Sequence, residues 1–226
     1  MNFEFSDEQI AMKDEVRKLL DKENSLKRNR TILEGEEKFD KDLWNSLVSM
    51  GLTAVTIPEE FGGIGMGYLE LCVIAEELGR AIAPVPYSSS VYLATTAILN
   101  CASDEIKKEF LPKLASGEII GTFAHAESSG FPLEKSINCN FASGKISGTK
   151  AAVPDADIAD FAIVSAKSSS GVGLYLIDLK DTNIEITSLD TFDPSRSHAN
   201  IDIKDASAKE LISCLLYTSP SPRDLP

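Results

Sequence analysis

Two histidines occur in the 226 residues, His125 and His198, and no local motif joins either to a serine or cysteine nucleophile and a carboxylate. His125 nevertheless stands in a string of chemical interest, GTFAHAESSG (121–130), with Glu127 two positions on. Strand alternation leaves two directions for the imidazole: toward a ligand, where it would donate a hydrogen bond, or away into the interior or solvent. Glu127 could be taken for a general base, a role in which geometry must precede pKa. The glycines of EEFGGIGMG (59–67) follow acids and lack a following lysine, so a turn-rich connection suits them better than a phosphate cradle. Cys72, Cys101, Cys139 and Cys214 are scattered, with no CxxC and no histidine at metal-ligand spacing, and read as reduced thiols.

Composition removes whole classes of function. Hydrophobic residues make up 43% of the chain and charged residues 25%, a globular balance that predicts a buried core. The formal net charge of −13 argues against a nucleic-acid partner, which needs clustered Lys and Arg. Apolar runs fall short of the roughly 20 residues that a membrane span requires. The first ten residues, MNFEFSDEQI, carry neither a basic region nor an apolar one, so no secretory signal is read and a cytoplasmic location is expected.

These residues are held by elements that change character near Gly121. Ser6-Asp7-Glu8-Gln9 is a capping box, after which Met12, Val16, Leu19 and Leu20 share one helical face. A second helix is expected from Asp40, carrying Leu43, Trp44, Leu47 and Val48 and stopping at Gly51. A third is expected over 68–82, and a fourth over 88–99 that is apolar nearly all round and hence most buried. A fifth, from about Ser103, ends before Gly117. The acidic run 34–37 reads as a solvated loop. Beyond Gly121, short apolar or alternating runs separated by Ser, Gly, Asp and Asn predict about seven strands in an antiparallel sheet or barrel. The expected organisation is an α+β chain, with a helical domain over 1–120 and a β-domain over 121–213.

Five strings in this order resemble the acyl-CoA dehydrogenase family: IPEEFGGIGMG (57–67), AEELGRA (75–81), EIKKEFLPKLASGE (105–118), ISGTKAAVPDADIADFAIVSA (146–166) and FDPSRSHANIDIKD (192–205). GTFAHAESSG stands where that family has a flavin-contacting strand. The resemblance implies an N-terminal helical domain, a middle β-domain and a C-terminal helical bundle, the last absent from this chain. It implies FAD as cofactor, an acyl-CoA thioester as substrate and an electron-transfer flavoprotein as acceptor, in a homo- or hetero-tetramer. A carboxylate removes the α-proton, backbone donors polarise the thioester carbonyl, and the flavin takes the β-hydride. Phe123, His125, Ala126, Val153 and Pro154 are then the expected cofactor contacts, and Ser129 and Gly130 the substrate contacts. No residue of this chain is assigned as the catalytic base, which the family draws from its bundle, so Glu127 is expected to be structural. The helix over 88–99 is expected to share in setting the size of the acyl pocket.

The sequence departs from the family's pattern at the contacts themselves. Ala126 stands where a threonine is usual, Ala152 where an aromatic covers the ring, and Pro154 where a threonine offers a hydroxyl and an N–H. The spelling GTKxxVPxAxxAD resembles a divergent branch that includes partner subunits of two-gene enzymes, acting on bulky or ring-bearing acyl chains of fatty acid or steroid side-chain degradation. Two alternatives to a catalytic dehydrogenase subunit follow: a non-catalytic partner subunit, or a flavin monooxygenase on the same fold. Finally, CLLYTSPSPRD (214–224) matches one frame of a transposase library adapter. Residues 214–226 are therefore expected to be non-biological, and the chain to be a fragment inactive by itself.

Overall fold

The computed structural model describes residues 5–35, 37–129, 136–193 and 195–212. Gly130 and the adapter-like stretch 214–226 lie outside them. Among the described residues six α-helices come first: α1 (Asp7–Glu23), α2 (Leu26–Glu34), α3 (Lys41–Ser49), α4 (Tyr68–Arg80), α5 (Thr96–Cys101) and α6 (Asp104–Ala115). A π-helix, Ser88–Thr95, runs directly into α5. Seven strands follow among the described residues: β1 (Gly121–Ala124), β2 (Asn140–Ala142), β3 (Lys145–Pro154), β4 (Phe161–Ser168), β5 (Gly171–Asp178), β6 (Ile184–Ser188) and β7 (His198–Ile212). The switch from helix to strand thus falls between α6 and Gly121. The compact units cut the helices differently, because Tyr87–Phe110 groups with the strands.

The first unit comprises the described residues of Met1–Pro86, Leu111–Glu118 and Asp193–Arg196. Its first helix starts as the capping box requires: Gln9 N–H donates to Ser6 Oγ at 3.2 Å and Ser6 N–H to Gln9 Oε1 at 3.0 Å. Val16 and Leu20 are fully buried, and α1 lies along α4, whose Val73 and Ile74 are buried too. Charged pairs staple these two helices. Lys13 meets Glu76 at 2.7 Å, and Arg17 and Arg80 both donate to the buried Glu77. Two arginines hold the Glu77 carboxyl at about 2, although burial works against them. In α3, Asp40 accepts from Leu43 N–H as N-cap and is gripped by Arg28 from α2. Gly51 follows α3 with φ +74, the left-handed turn for which glycine is suited.

α2 was not expected from the sequence. Its stretch LKRNRTILE buries only Asn29 and Ile32, too few for an apolar stripe. It is fixed instead by polar reach: Asn29 Nδ2 donates to the carbonyls of Ala81 and Ile82 at 3.2 and 3.0 Å.

In the second unit the strands close on themselves in the order β4-β2-β3-β7-β5 and back to β4. β1 joins through β4 and β6 through β7. Most pairings are antiparallel, as expected, whereas β1 and β2 each run parallel to β4. The interior is filled by small and branched side chains, including Ala162, Val164, Ala166, Ile177 and Ile201, with Tyr175 stacked on Phe141 at 4.0 Å between centroids. β3 crosses β7 irregularly at two places, between Ile146 and Gly148 and between Lys150 and Val153, and the second bears on the site. Lys150 pairs Ile201 and Val153 pairs Ala199, three steps on β3 against two on β7, which is a bulge at Ala151 and Ala152.

Candidate functional site

β1 and β3 end beside one another, and three kinds of bond join them. Thr122 is wholly buried and its hydroxyl donates to the Pro154 carbonyl at 2.6 Å. Ala151 N–H donates to the Ala126 carbonyl at 2.8 Å. The third is an ion. Lys150 is 0% exposed, and its ammonium donates to Glu127 Oε1 at 2.8 Å, the His125 carbonyl at 3.1 Å and Ser165 Oγ at 3.1 Å. A buried ammonium has three protons to place, and these three acceptors take them all.

Glu127 is equally committed. Besides Lys150 it accepts the N–H groups of Asn138 at 2.6 Å and Cys139 at 2.9 Å. Burial alone would raise this carboxyl, but Lys150 and the two amides outweigh it and hold it below the usual range. A low-pKa carboxylate occupied on both oxygens suits an anchor, not a proton acceptor. Next to it, burial pushes the Cys139 thiol up to about 12, so this cysteine is an inert space-filler.

His125 directs Nδ1 to Ser165 Oγ on β4, at 2.9 Å. Its ring is half-buried and lies 6.3 Å from that of Phe123, tilted by 38°, as two residues on one side of a strand should be. The bulge in β3 then decides what the other strand offers. Ala152 has φ +49 and is exposed, its N–H donating to Asn200 Oδ1 at 3.0 Å, while Val153 turns its side chain into the core. Pro154 is half-buried. Phe123, His125, Ala126, Val153 and Pro154 are thus brought to one edge of the barrel. Ser129 is exposed beyond it, and Gly130 is outside the described residues.

Lys150 and Ser165 are the residues that reading the sequence for chemistry passed over. A signal was present for the lysine: period-two alternation places Lys150 on the side of Ile146, which is fully buried. Among the described residues, no group of three or more His, Cys, Asp and Glu side chains could hold a metal ion. No described helix is long and apolar enough to cross a membrane.

Comparison with known proteins gives this architecture its kin. Residues 6–118 match the sequence profile of the acyl-CoA dehydrogenase N-terminal domain. The chain is 31% identical over 157 residues to acyl-CoA dehydrogenase FadE27 of Mycobacterium tuberculosis, covering 69% of this chain and 42% of that protein. It is 35% identical over 102 residues to the mitochondrial isovaleryl-CoA dehydrogenase of Solanum tuberosum, covering 44% of this chain and 25% of that protein. The chain thus spans less than half the length of these curated relatives. Among solved structures, the ChsE4-ChsE5 complex of Mycobacterium tuberculosis superposes with a TM-score of 0.85 at 25% identity, over 94% of this chain and 58% of that one. A match to the helical profile and a superposition that runs on through the barrel agree on one kinship: the chain belongs to the acyl-CoA dehydrogenase family.

Proposed function

We propose that this chain supplies the helical and β-domain portion, residues 1–120 and 121–213, of a subunit of an FAD-dependent enzyme that desaturates the α,β-bond of an acyl-CoA thioester. The observation that carries this reading is the joined end of β1 and β3, pinned by Lys150 and Glu127, in a chain of this family. The donor set there fits a flat heteroaromatic ring. Phe123 and His125 offer an aromatic face and one polar group, and Ala126, exposed Ala152 and Pro154 offer low, apolar surface. Phe123, His125, Ala126, Val153 and Pro154 would hold the flavin, and Ser129 and Gly130 would meet the substrate. When bound, FAD supplies a hydride acceptor that no side chain can provide. The chain's own residues orient and seal: Lys150 fixes the main chain of His125, Thr122 fixes that of Pro154, and Ser165 fixes the imidazole. The acyl chain lies along the helical segment beginning at Ser88, and an electron-transfer flavoprotein collects the electrons.

A second reading is a non-catalytic partner in a heteromeric dehydrogenase. Its support is the chemistry of the same edge, where Ala126 and Ala152 bring only methyl groups and Pro154 brings no N–H. That the ChsE4-ChsE5 structure is a complex of two different chains is consistent with it. One experiment separates the two. The chain, extended to the length of its relatives, is purified alone and co-expressed with a neighbouring paralogue, then assayed for released flavin and for acyl-CoA oxidation. Yellow, active protein from the single chain supports the catalytic subunit, and activity only in the pair supports the partner. A colourless, inactive pair would overturn both.

A further inference from the structure

A π-helix closes i→i+5 hydrogen bonds, and is usually a single turn set within an α-helix, frequently near a functional site. Ser88–Thr95 is eight residues long and must be held in that wide register by something outside its own backbone. Three features of the segment share the spacing of five. Thr95 Oγ1 donates back to the Ser90 carbonyl at 2.9 Å, and the rings of Tyr87 and Tyr92 meet edge-to-face with centroids 5.2 Å apart. Main-chain bonds follow the same step. Two further tethers leave the helix. Gly121 N–H donates to Ser90 Oγ at 3.3 Å, where a Cβ on Gly121 would stand only 2.7 Å from that of Ala94.

The second tether reaches the candidate site. Ser89 is 0% exposed and its hydroxyl donates to a carboxylate oxygen of Asp155, itself 3% exposed. Asp155 follows Pro154 directly, sits at φ +54 and accepts a second, longer bond from Ser197 Oγ at 3.4 Å. Its main chain is tied as well, since its N–H donates to the Ser197 carbonyl at 2.9 Å and its own carbonyl accepts from Ala159 N–H at 3.0 Å. A left-handed, buried aspartate is costly to keep unless its surroundings demand it. Ser197 and Ala159 hold it on the barrel side, and Ser89 is the partner that reaches the π-helix.

We propose that Asp155 is a positioning residue that sets the register of the π-helix, and so determines how Tyr92 and Leu93 are presented beside the β1–β3 edge. Tyr92 is half-buried and Leu93 exposed, while Val91 and Ala94 on either side are buried. Relaxation of the π-turn to an α-turn would rotate these four residues relative to one another and exchange which are covered. The inference rests on the function proposed above in one respect: the group that reads Tyr92 and Leu93 is then the acyl chain of a thioester, and Asp155 selects among acyl chains without touching them.

The test uses Asp155→Ala, Asp155→Asn and Ser89→Ala. Hydrogen exchange of amides 88–96 in the chain as it stands comes first. Loss of a buried bond to a charged acceptor is expected to speed exchange on the order of tenfold in Asp155→Ala and Ser89→Ala, with Asp155→Asn near the parent because its amide oxygen still accepts. In the chain extended to its relatives' length, with its partner if one is needed, kcat and KM are then compared for butanoyl-CoA and decanoyl-CoA. The ratio of kcat/KM for the two is expected to shift about tenfold through KM in both disrupted variants, and to return in Asp155→Asn. Unchanged exchange in both Asp155→Ala and Ser89→Ala overturns the clamp. Faster exchange with an unchanged substrate ratio overturns the selecting role. A parent protein that oxidises neither thioester overturns the proposed function instead, and the exchange result still decides the clamp.

Discussion

The helical unit and the barrel each bury charge, and they do so in opposite ways. In the helical unit the buried partners are carboxylates, Glu77 and Asp40, and the arginines that hold them keep close to half of their side chains in water. In the barrel the buried partner is a cation, Lys150, and the carboxylate that answers it is itself largely covered. The first arrangement staples helices from outside and is stabilising because the arginines keep their hydration. The second withdraws both charges from water, which seldom adds net stability over an apolar pair. Charge that does little for stability, yet lies where two strand ends meet, is better accounted for by the geometry it imposes on His125 and Glu127.

That contrast can be broken from either side. The largest effect is expected from Lys150→Met, which strands the Glu127 carboxylate and should cost about 3 kcal/mol in urea unfolding. Adding Glu127→Gln to it should recover a substantial part; no recovery would mean that the pair is an ordinary stabilising bridge. Glu77→Gln is expected to cost about 2 kcal/mol, less because its half-exposed arginines are screened by solvent. Its pH dependence has a definite sign. The Glu77 carboxyl is lowered from 4.5 to about 2, so its contribution is complete above pH 4.5 and fades as pH falls toward 2. Acid titration of the parent should therefore narrow its gap to Glu77→Gln across that window, and a constant gap would refute the assignment. Ser165→Ala is the mildest, at about 1 kcal/mol, and should change the nitrogen chemical shifts of His125 by removing the partner of Nδ1. Unaltered shifts would show that Ser165 does not hold the ring.

Local signals were the ones that reading the sequence could use. The Ser6–Gln9 box, the stripe of α3 and Gly51 at φ +74 each follow from residues within a few positions of one another. What escaped depends on partners far along the chain. α2 is seated by Asn29 on carbonyls more than fifty residues away, which no window on LKRNRTILE reveals. The helix over 88–99 was visible as helix, but an apolar surface nearly all round carries no period from which a π-turn could be told from an α-turn. Its Ser89 is bonded to Asp155, sixty-six positions on. The β1–β4 pairing joins strands forty residues apart in parallel, whereas short loops suggest antiparallel neighbours. At the candidate site the sequence did not show which way the expected residues point, and Lys150 and Ser165 were passed over. Val153 points inward and Ala152 outward because of one extra residue in β3, a property of pairing and not of composition.

That extra residue has a consequence for anyone who edits this stretch. Lys150 and Val153 both face the interior with two residues between them, so the strand changes parity at Ala152. Deleting Ala152 would leave the composition of β3 almost untouched and would restore plain alternation, with Lys150 and Val153 two steps apart and both still facing inward. What would go is the bulge itself, with the left-handed Ala152 and its N–H bond to Asn200. A one-residue deletion at this point is thus a direct probe of the bulge, because it takes away the kink and leaves the side chains around it on their own sides of the sheet.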